Sequence, residues 1–319
     1  MTWRECNTLE IARVFAIFSV IAAHISDQCT NTAIGQFWKL IGLIGVITFL
    51  MIGGFLYNRF QGDDIVFWKK RVFTLIIPWL ICATATYLLS IISGKIFSTE
   101  SYFCWILGSG TFYYYIVIYF VLLFIFKWID RSRLLLYGCI TVTVASLVFT
   151  SLNVLPYVPY ITPYLNILNW VGFFAIGVLC RQQWLIVKKM LQGFVWISIP
   201  LAIVMAITML LMDAITYFYP ISMVFELSAS CCLLWAAWFI SGTKLGMLVV
   251  PIGKWTYFIY LVHMQFVQFI CNKLPTHIVS DILRPFVGFT SMIGIICCMK
   301  IIASRVKWCK KLLLLLGLR

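Results

Sequence analysis

The sequence predicts an all-α polytopic membrane protein with about ten transmembrane helices and both termini in the cytoplasm. Three observations lead there. Of 319 residues, 63% are hydrophobic and only 11% are charged, and the mean hydropathy is +1.02. A water-soluble domain of this length must present a largely polar surface. Apolar runs of roughly 18 residues or more recur along the chain, each enough to cross a hydrocarbon core as a helix. The short alternating segments of a membrane barrel are not seen.

In order, spans are expected at 8–26, 36–56, 72–93, 111–128, 134–152, 165–181, 194–212, 219–240, 249–270 and 283–303. The links between them are short, so residues 1–319 read as a single transmembrane domain. The first run carries charges in its middle and lacks a small-residue cleavage site, so it reads as a retained helix rather than a signal peptide. An even number of spans puts both ends on one side.

Charge sets the orientation. The net charge of +14 comes from basic residues in alternate loops, the pattern of cytoplasmic loops rather than of a nucleic-acid binder. With the termini inside, the inner loops hold Arg59, Lys69, Lys70 and Arg71, then Lys127 to Arg133, Arg181 to Lys189, Lys244 and Lys254, and the C-terminal cluster ending at Arg319. The outer face keeps Lys39, Lys95, Lys273 and Arg284. The twelve cysteines show no CxxC spacing and fall mostly inside apolar runs. They read as small apolar fillers, with no metal site.

Against this apolar background, the stretch "EIARVFAIFSVIAAHIS" stands out for Glu10, Arg13 and His24. A helix turns about 100° and rises about 1.5 Å per residue. Arg13 and His24, eleven positions apart, therefore lie within about 20° of each other around the axis and about 16 Å along it. Glu10 precedes Arg13 by three, the spacing at which opposite charges meet. All three share one face, with Ile17, Val20 and Ile21 between. Ionisable groups in a bilayer usually face a bundle interior or cavity. The plainer alternatives are an Arg13 that snorkels with Glu10 as its partner and a His24 that only packs. Glu226 in "MVFELSASCC" is a further intramembrane acid, facing a cavity, kept neutral by burial, or satisfied by Ser228 or Ser230. His263 reads as a structural residue that caps or hydrogen-bonds a neighbouring helix. The Tyr113–Tyr115 run reads as an interface belt or a sugar-stacking surface, and His277 receives no role.

These stretches resemble the acyltransferase-3 family of integral membrane acyltransferases. Its first helix carries an acidic residue, two residues, a basic residue, ten residues and a histidine, the spacing of Glu10, Arg13 and His24 here. "FLMIGGFLYN" resembles the family's S-G-F-L segment, with Gly53 in place of serine. "FWKKRVFTLIIPWL" resembles its basic R-x-x-R lead-in to helix 3, with Arg71 as the first arginine and Thr74 where the second stands. "IGKWTYFIYLVHMQF" resembles the late segment ending in tyrosine-leucine-x-histidine, and "FFAIGVL" a middle phenylalanine-glycine stretch.

The resemblance implies transfer of an acyl group, usually acetyl from cytoplasmic acetyl-CoA, to a hydroxyl of an envelope carbohydrate such as a lipopolysaccharide O-antigen, free or lipid-linked, in a bacterial inner membrane. Acetyl-CoA is then a donor substrate, and no cofactor is held permanently. Lys69, Lys70 and Arg71 would bind its phosphates, or simply reflect positive-inside topology. The pantetheine arm would run outward along the face of helix 1. His24 would be the general base, since the ordinary imidazole pKa lies near neutrality, and Arg13 and Glu10 would position the donor. Two rival readings stand beside this: a glycan or lipid-linked-sugar transporter without acyl chemistry, which paired Gly/Pro breaks in two matching halves would favour although no such repeat is evident, and an inactive relative with a scaffolding role.

Overall fold

The computed structural model describes residues 2–57, 64–154, 162–271, 273–275 and 277–318. Arg59 and Arg319, both counted above among the inner charges, lie outside the described residues, as does Asn58 at the end of the glycine-phenylalanine stretch. Within them the chain forms α1 (Trp3–Ser26), α2 (Thr32–Leu56), α3 (Asp64–Arg71), α4 (Ile77–Ile92) and α5 (Thr99–Leu107). There follow α6 (Tyr114–Ile129), α7 (Arg133–Ser151), α8 (Val171–Gln182), α9 (Trp184–Leu211) and α10 (Pro220–Ile240). The last are α11 (Lys244–Gly253), α12 (Thr256–Cys271), α13 (Ile278–Arg305) and α14 (Lys307–Leu315). No strand occurs among the described residues.

Among the described residues seven helices are long and apolar enough to cross a membrane, or up to nine if two bent pairs each count as one span. Each of the ten expected spans overlaps one of these or the shorter apolar helix α6, which covers the run at 111–128. Two are not straight rods. α8 meets the following segment Trp184–Leu191 at 101°, and α11 meets α12 at 75°. The breaks fall at Gln183 and at Lys254–Trp255, where polar side chains interrupt the apolar run.

Local chemistry sets the ends. Thr2 and Glu5 form a reciprocal capping box at α1: Thr2 Oγ1 accepts from the Glu5 amide (3.3 Å) and Glu5 Oε2 from the Thr2 amide (2.7 Å). Ser132 and Thr243 cap α7 and α11 through their hydroxyls. The N-terminus of α13 is capped by His277, whose Nδ1 accepts from the Val279 amide (3.2 Å). A π-helical turn, Val72–Ile76, joins α3 to α4 just before Pro78, where a proline without an amide proton cannot continue the regular ladder.

The chain divides into two compact units. One comprises Met1–Gly42, Phe60–Ile106 and Ser241–Arg319; the other comprises Leu43–Arg59 and Leu107–Ile240. In the first, α1 packs against α11, α12 and α13, while α12 also packs on α4 and α14 on α13. In the second, α9 and α10 pair, as do α7 and α8. Buried Asn169 ties α7 to the turn before α8: Ser146 Oγ donates to its Oδ1 (2.6 Å), and its Nδ2 donates to the Pro163 carbonyl (3.0 Å).

Small residues in the second unit let backbones touch. A β-carbon on Gly54 would lie 2.1 Å from the Phe174 carbonyl oxygen, and one on Gly177 would lie 2.1 Å from that of Met51. Close approach of this kind is the usual reason for small residues between membrane helices. Gly53, which stands where the family has serine, is filled over by Tyr119, whose ring would lie 2.5 Å from an added β-carbon. Gly177→Ala is expected to lower the thermal midpoint in detergent, because overpacking costs on the order of 1–3 kcal/mol and rigid backbone cannot yield. Gly138→Ala, with nothing within 4 Å of its added carbon, should not lower the midpoint, since alanine in a helix interior is favoured over glycine by about 0.5–1 kcal/mol.

Candidate functional site

The site grows from α1 in the first unit. Arg13 Nη1 donates to Glu10 Oε1 at 2.9 Å, the pair expected from their spacing, and both are partly exposed. Gly253, at the end of α11, packs directly on Glu10: a β-carbon there would lie 2.6 Å from both the Glu10 carbonyl oxygen and Oε2. Only glycine lets the α11–α12 break close over this carboxylate.

The break also draws in the basic lead-in to α4. Tyr257, one turn beyond Gly253, donates its hydroxyl to the Leu75 carbonyl in the π-helical turn. Lys69 and Lys70 are exposed immediately before that turn, and Arg71 is half-buried with its guanidinium 5.2 Å from the Phe67 ring centre. Thr74 lies within the turn itself. Beside the break, Lys300 of α13 sits over the Trp255 ring at 4.6 Å. This end of the unit therefore gathers cations from α1, α3, α13 and the α11–α12 break.

His24 stands near the other end of α1, half-buried. Its ring centre lies 5.0 Å from that of His263 on α12, with the planes tilted by 41°. His263 is fully buried and its Nδ1 donates to the Tyr260 carbonyl at 2.7 Å. Ile17, Val20 and Ile21, expected to line a donor path between Arg13 and His24, are instead buried. Branched apolar side chains facing packed helices fill that stretch of the face. What the structure brings together is Glu10 with Arg13, and His24 with His263.

The His24 end is pinned by a cluster that the sequence did not reveal. Arg284, expected as an outer-face charge, is buried in the early turns of α13, 3.1 Å from Asp281 Oδ1. Asp281 Oδ2 accepts from the Thr30 amide, the Thr30 hydroxyl and the Asn31 amide at 2.8–2.9 Å. Arg284 donates to the Gln28 carbonyl. An α-helical i,i+3 pair reads as a surface feature until the loop that it grips is known.

In the second unit, Glu226 is fully buried in α10, and neither carboxylate oxygen has a hydrogen-bond donor among the described residues. The serines expected to satisfy it are engaged elsewhere, Ser228 with the Val224 carbonyl (2.7 Å) and Ser230 with Thr48 (3.0 Å). Nearby Tyr217, in the link before α10, has its hydroxyl pKa pushed well above the ordinary phenol range by burial, with Tyr164 and Glu226 adding to the effect. Tyr113 and Tyr114 form neither a belt nor an open stacking surface. They are buried among Phe112, Tyr164 and Trp170, while Tyr115 packs beside Phe49 and Tyr119. The turn at Gly108 (φ +82°) folds the preceding chain against the Tyr114 amide, which draws these rings inward.

Sequence reasoning missed the partnership of His263. The one available signal was its place at the end of the "YLVH" stretch, which says nothing of a neighbour on α1. Among the described residues no group of three or more His, Cys, Asp or Glu gathers to hold a metal ion.

No match to the chain emerges among curated proteins or among solved structures. The acyltransferase-3 family model, described as an acyltransferase domain, matches residues 7–303, a range that holds the polar face of α1, the basic lead-in and the late histidine segment together. With nearly its whole length matched and its helices built for a bilayer, the chain belongs to the acyltransferase-3 family of multi-pass membrane acyltransferases.

Proposed function

We propose that this acyltransferase moves an acetyl group from cytoplasmic acetyl-CoA to a hydroxyl of an envelope carbohydrate, free or lipid-linked, in a bacterial inner membrane. Both termini are then cytoplasmic, and the cation-rich end of the first unit faces the donor. Lys69, Lys70 and Arg71 take the donor phosphates, the guanidinium offering the bidentate geometry that phosphate favours. Arg13, held by Glu10, positions the donor further in.

His24 removes the proton from the acceptor hydroxyl. The oxygen attacks the thioester carbonyl carbon, and donor groups stabilise the oxyanion that forms. The carbon–sulfur bond breaks, and the departing thiolate takes the proton from the imidazolium. The products are an O-acetyl ester and CoA thiol. The observation that carries this reading is the half-buried His24 imidazole paired with a second imidazole at the end of α1, on the same helix as the Glu10–Arg13 pair.

One observation bears on the transporter reading: each unit contains a bent helix pair. The bends, however, fall at polar positions beside Arg181 and Lys254 rather than within apolar stretches, which suits turns at a membrane edge better than a midplane binding site.

The test compares envelope-glycan acetyl content in cells making the wild type, His24→Ala or neither, at matched membrane levels. Acetylation is expected from the wild type alone. Full acetylation by His24→Ala would reduce His24 to a packing residue.

A further inference from the structure

We infer that α14 lies in the membrane surface and binds the anionic head groups of phospholipids through Lys310 and Lys311. The inference goes beyond the acyl-transfer reading and stands without it.

The helix is set apart from the spans. It begins beyond residue 303, where the match to the family ends. Val306, extended at φ −123° and ψ 108°, separates Arg305 at the end of α13 from Lys307 at the start of α14. One extended residue breaks the helical ladder, so α14 does not continue the line of the span. With nine residues it is about 14 Å long, too short to cross a hydrocarbon core.

Its side chains fall into three sectors. At about 100° per residue, Trp308, Leu312 and Leu315 share a stripe about 60° wide, and they are 68%, 42% and 46% exposed. Cys309 and Leu313 lie about 110° further round; Leu313 is buried and Cys309 half-buried, which seats the helix on the protein. Lys310 and Lys311 take the remaining side with Leu314 between them, all three exposed. The seat is ordered. The Leu318 amide donates to the Leu313 carbonyl (2.9 Å) and Gly317 has φ +82°, the turn that ends many helices. Leu318 is buried, and a β-carbon on Gly317 would lie 3.2 Å from the Tyr257 ring and 3.6 Å from Pro78.

The outward faces suit lipid rather than water. Three large apolar side chains in one stripe are covered by acyl chains at the edge of a bilayer, as are Ile301 and Ile302 in the last turns of α13, 62% and 56% exposed. Tryptophan favours the head-group level. The lysines flank the stripe, where their stems lie along apolar surface and their ammonium groups reach phosphate. No acidic residue follows Asp281 in the sequence, so this stretch carries only positive charge and complements an anionic surface. Lysines that served only to orient the chain would need no apolar stripe beside them.

Full-length protein in detergent is titrated with phosphatidylglycerol bearing a fluorescent acyl chain, and with the matching phosphatidylcholine. The wild type is compared with Lys310→Gln/Lys311→Gln and with Lys39→Gln/Lys189→Gln, which removes the same charge from exposed positions elsewhere. The wild type is expected to bind phosphatidylglycerol more tightly than phosphatidylcholine. That affinity should fall about fivefold for each lysine lost from α14, and stay within about twofold of wild type in the control pair. The thermal midpoint should hold throughout, because the substituted side chains are exposed. Unchanged lipid affinity in Lys310→Gln/Lys311→Gln, or an equal loss in both pairs, would overturn the inference. A raised KM for acetyl-CoA in that variant with unchanged lipid affinity would overturn it in favour of donor phosphates as the ligand.

Discussion

Replacing His24 with alanine is expected to lower kcat for CoA thiol release by on the order of 10²- to 10⁴-fold, the usual contribution of a positioned general base. The donor KM should change little, because the cations that would hold the phosphates lie on α3 and near the first turns of α1, away from His24. An interaction made chiefly in the transition state lowers kcat without weakening ground-state binding. The fold should tolerate the change. His24 is half-buried rather than fully enclosed, and its helix is anchored independently by Ile11, Ile17, Ile21 and Ile25, all fully buried. Steady-state kinetics on detergent-purified protein, with the thermal midpoint as a control, check this. Arg13→Ala should show the opposite split, a raised donor KM with a smaller change in kcat.

Asp281→Ala is expected to produce the largest loss of stability. One buried carboxylate oxygen accepts from two amides and a hydroxyl of the α1–α2 connection, and the other lies 3.1 Å from the buried Arg284 guanidinium. The Asp281 carbonyl also accepts from Trp38 Nε1 at 3.0 Å. Truncation strips two amides of their acceptor and leaves the Arg284 charge in a buried site without its counter-ion. Breaking a buried pair from one side costs about 3–5 kcal/mol, and orphaned amides add to that. Asp281→Asn, which keeps an acceptor oxygen but not the charge, should fall between alanine and wild type. Thermal unfolding in detergent reads the order directly. A wild-type midpoint for Asp281→Ala would mean that the connection is held by something other than this cluster.

Much of this molecule is legible in one dimension. The spacing of Glu10 and Arg13 places them one turn apart on α1, and their 2.9 Å contact follows from helix geometry. Apolar run length locates the spans. Other features depend on contacts between distant segments, which periodicity does not carry. Nothing in the residues around His24 points to His263, and nothing around Arg284 says that the Thr30–Asn31 backbone folds onto its neighbour Asp281. The bend at Gln183 lacks a proline and resembles an ordinary helix end, while the one at Lys254–Trp255 follows Pro251 and Gly253, residues that mark a break in the sequence but not its angle. The Gly53 departure becomes intelligible only when Tyr119 is seen to occupy its side-chain space. Glu226 is recognisable as an isolated acid, but the engagement of Ser228 and Ser230 elsewhere is a matter of rotamer and neighbour.

The most direct test of the account follows the acyl group itself. Purified wild-type protein in vesicles containing envelope glycan is given acetyl-CoA labelled on the acetyl group, and both free CoA thiol and labelled glycan are measured. The account predicts that the two appear together in equal amounts, with label released from the glycan by mild base as expected for an ester. Intact acetyl-CoA in vesicles across which the glycan has nonetheless moved would contradict it and would assign these helices to transport.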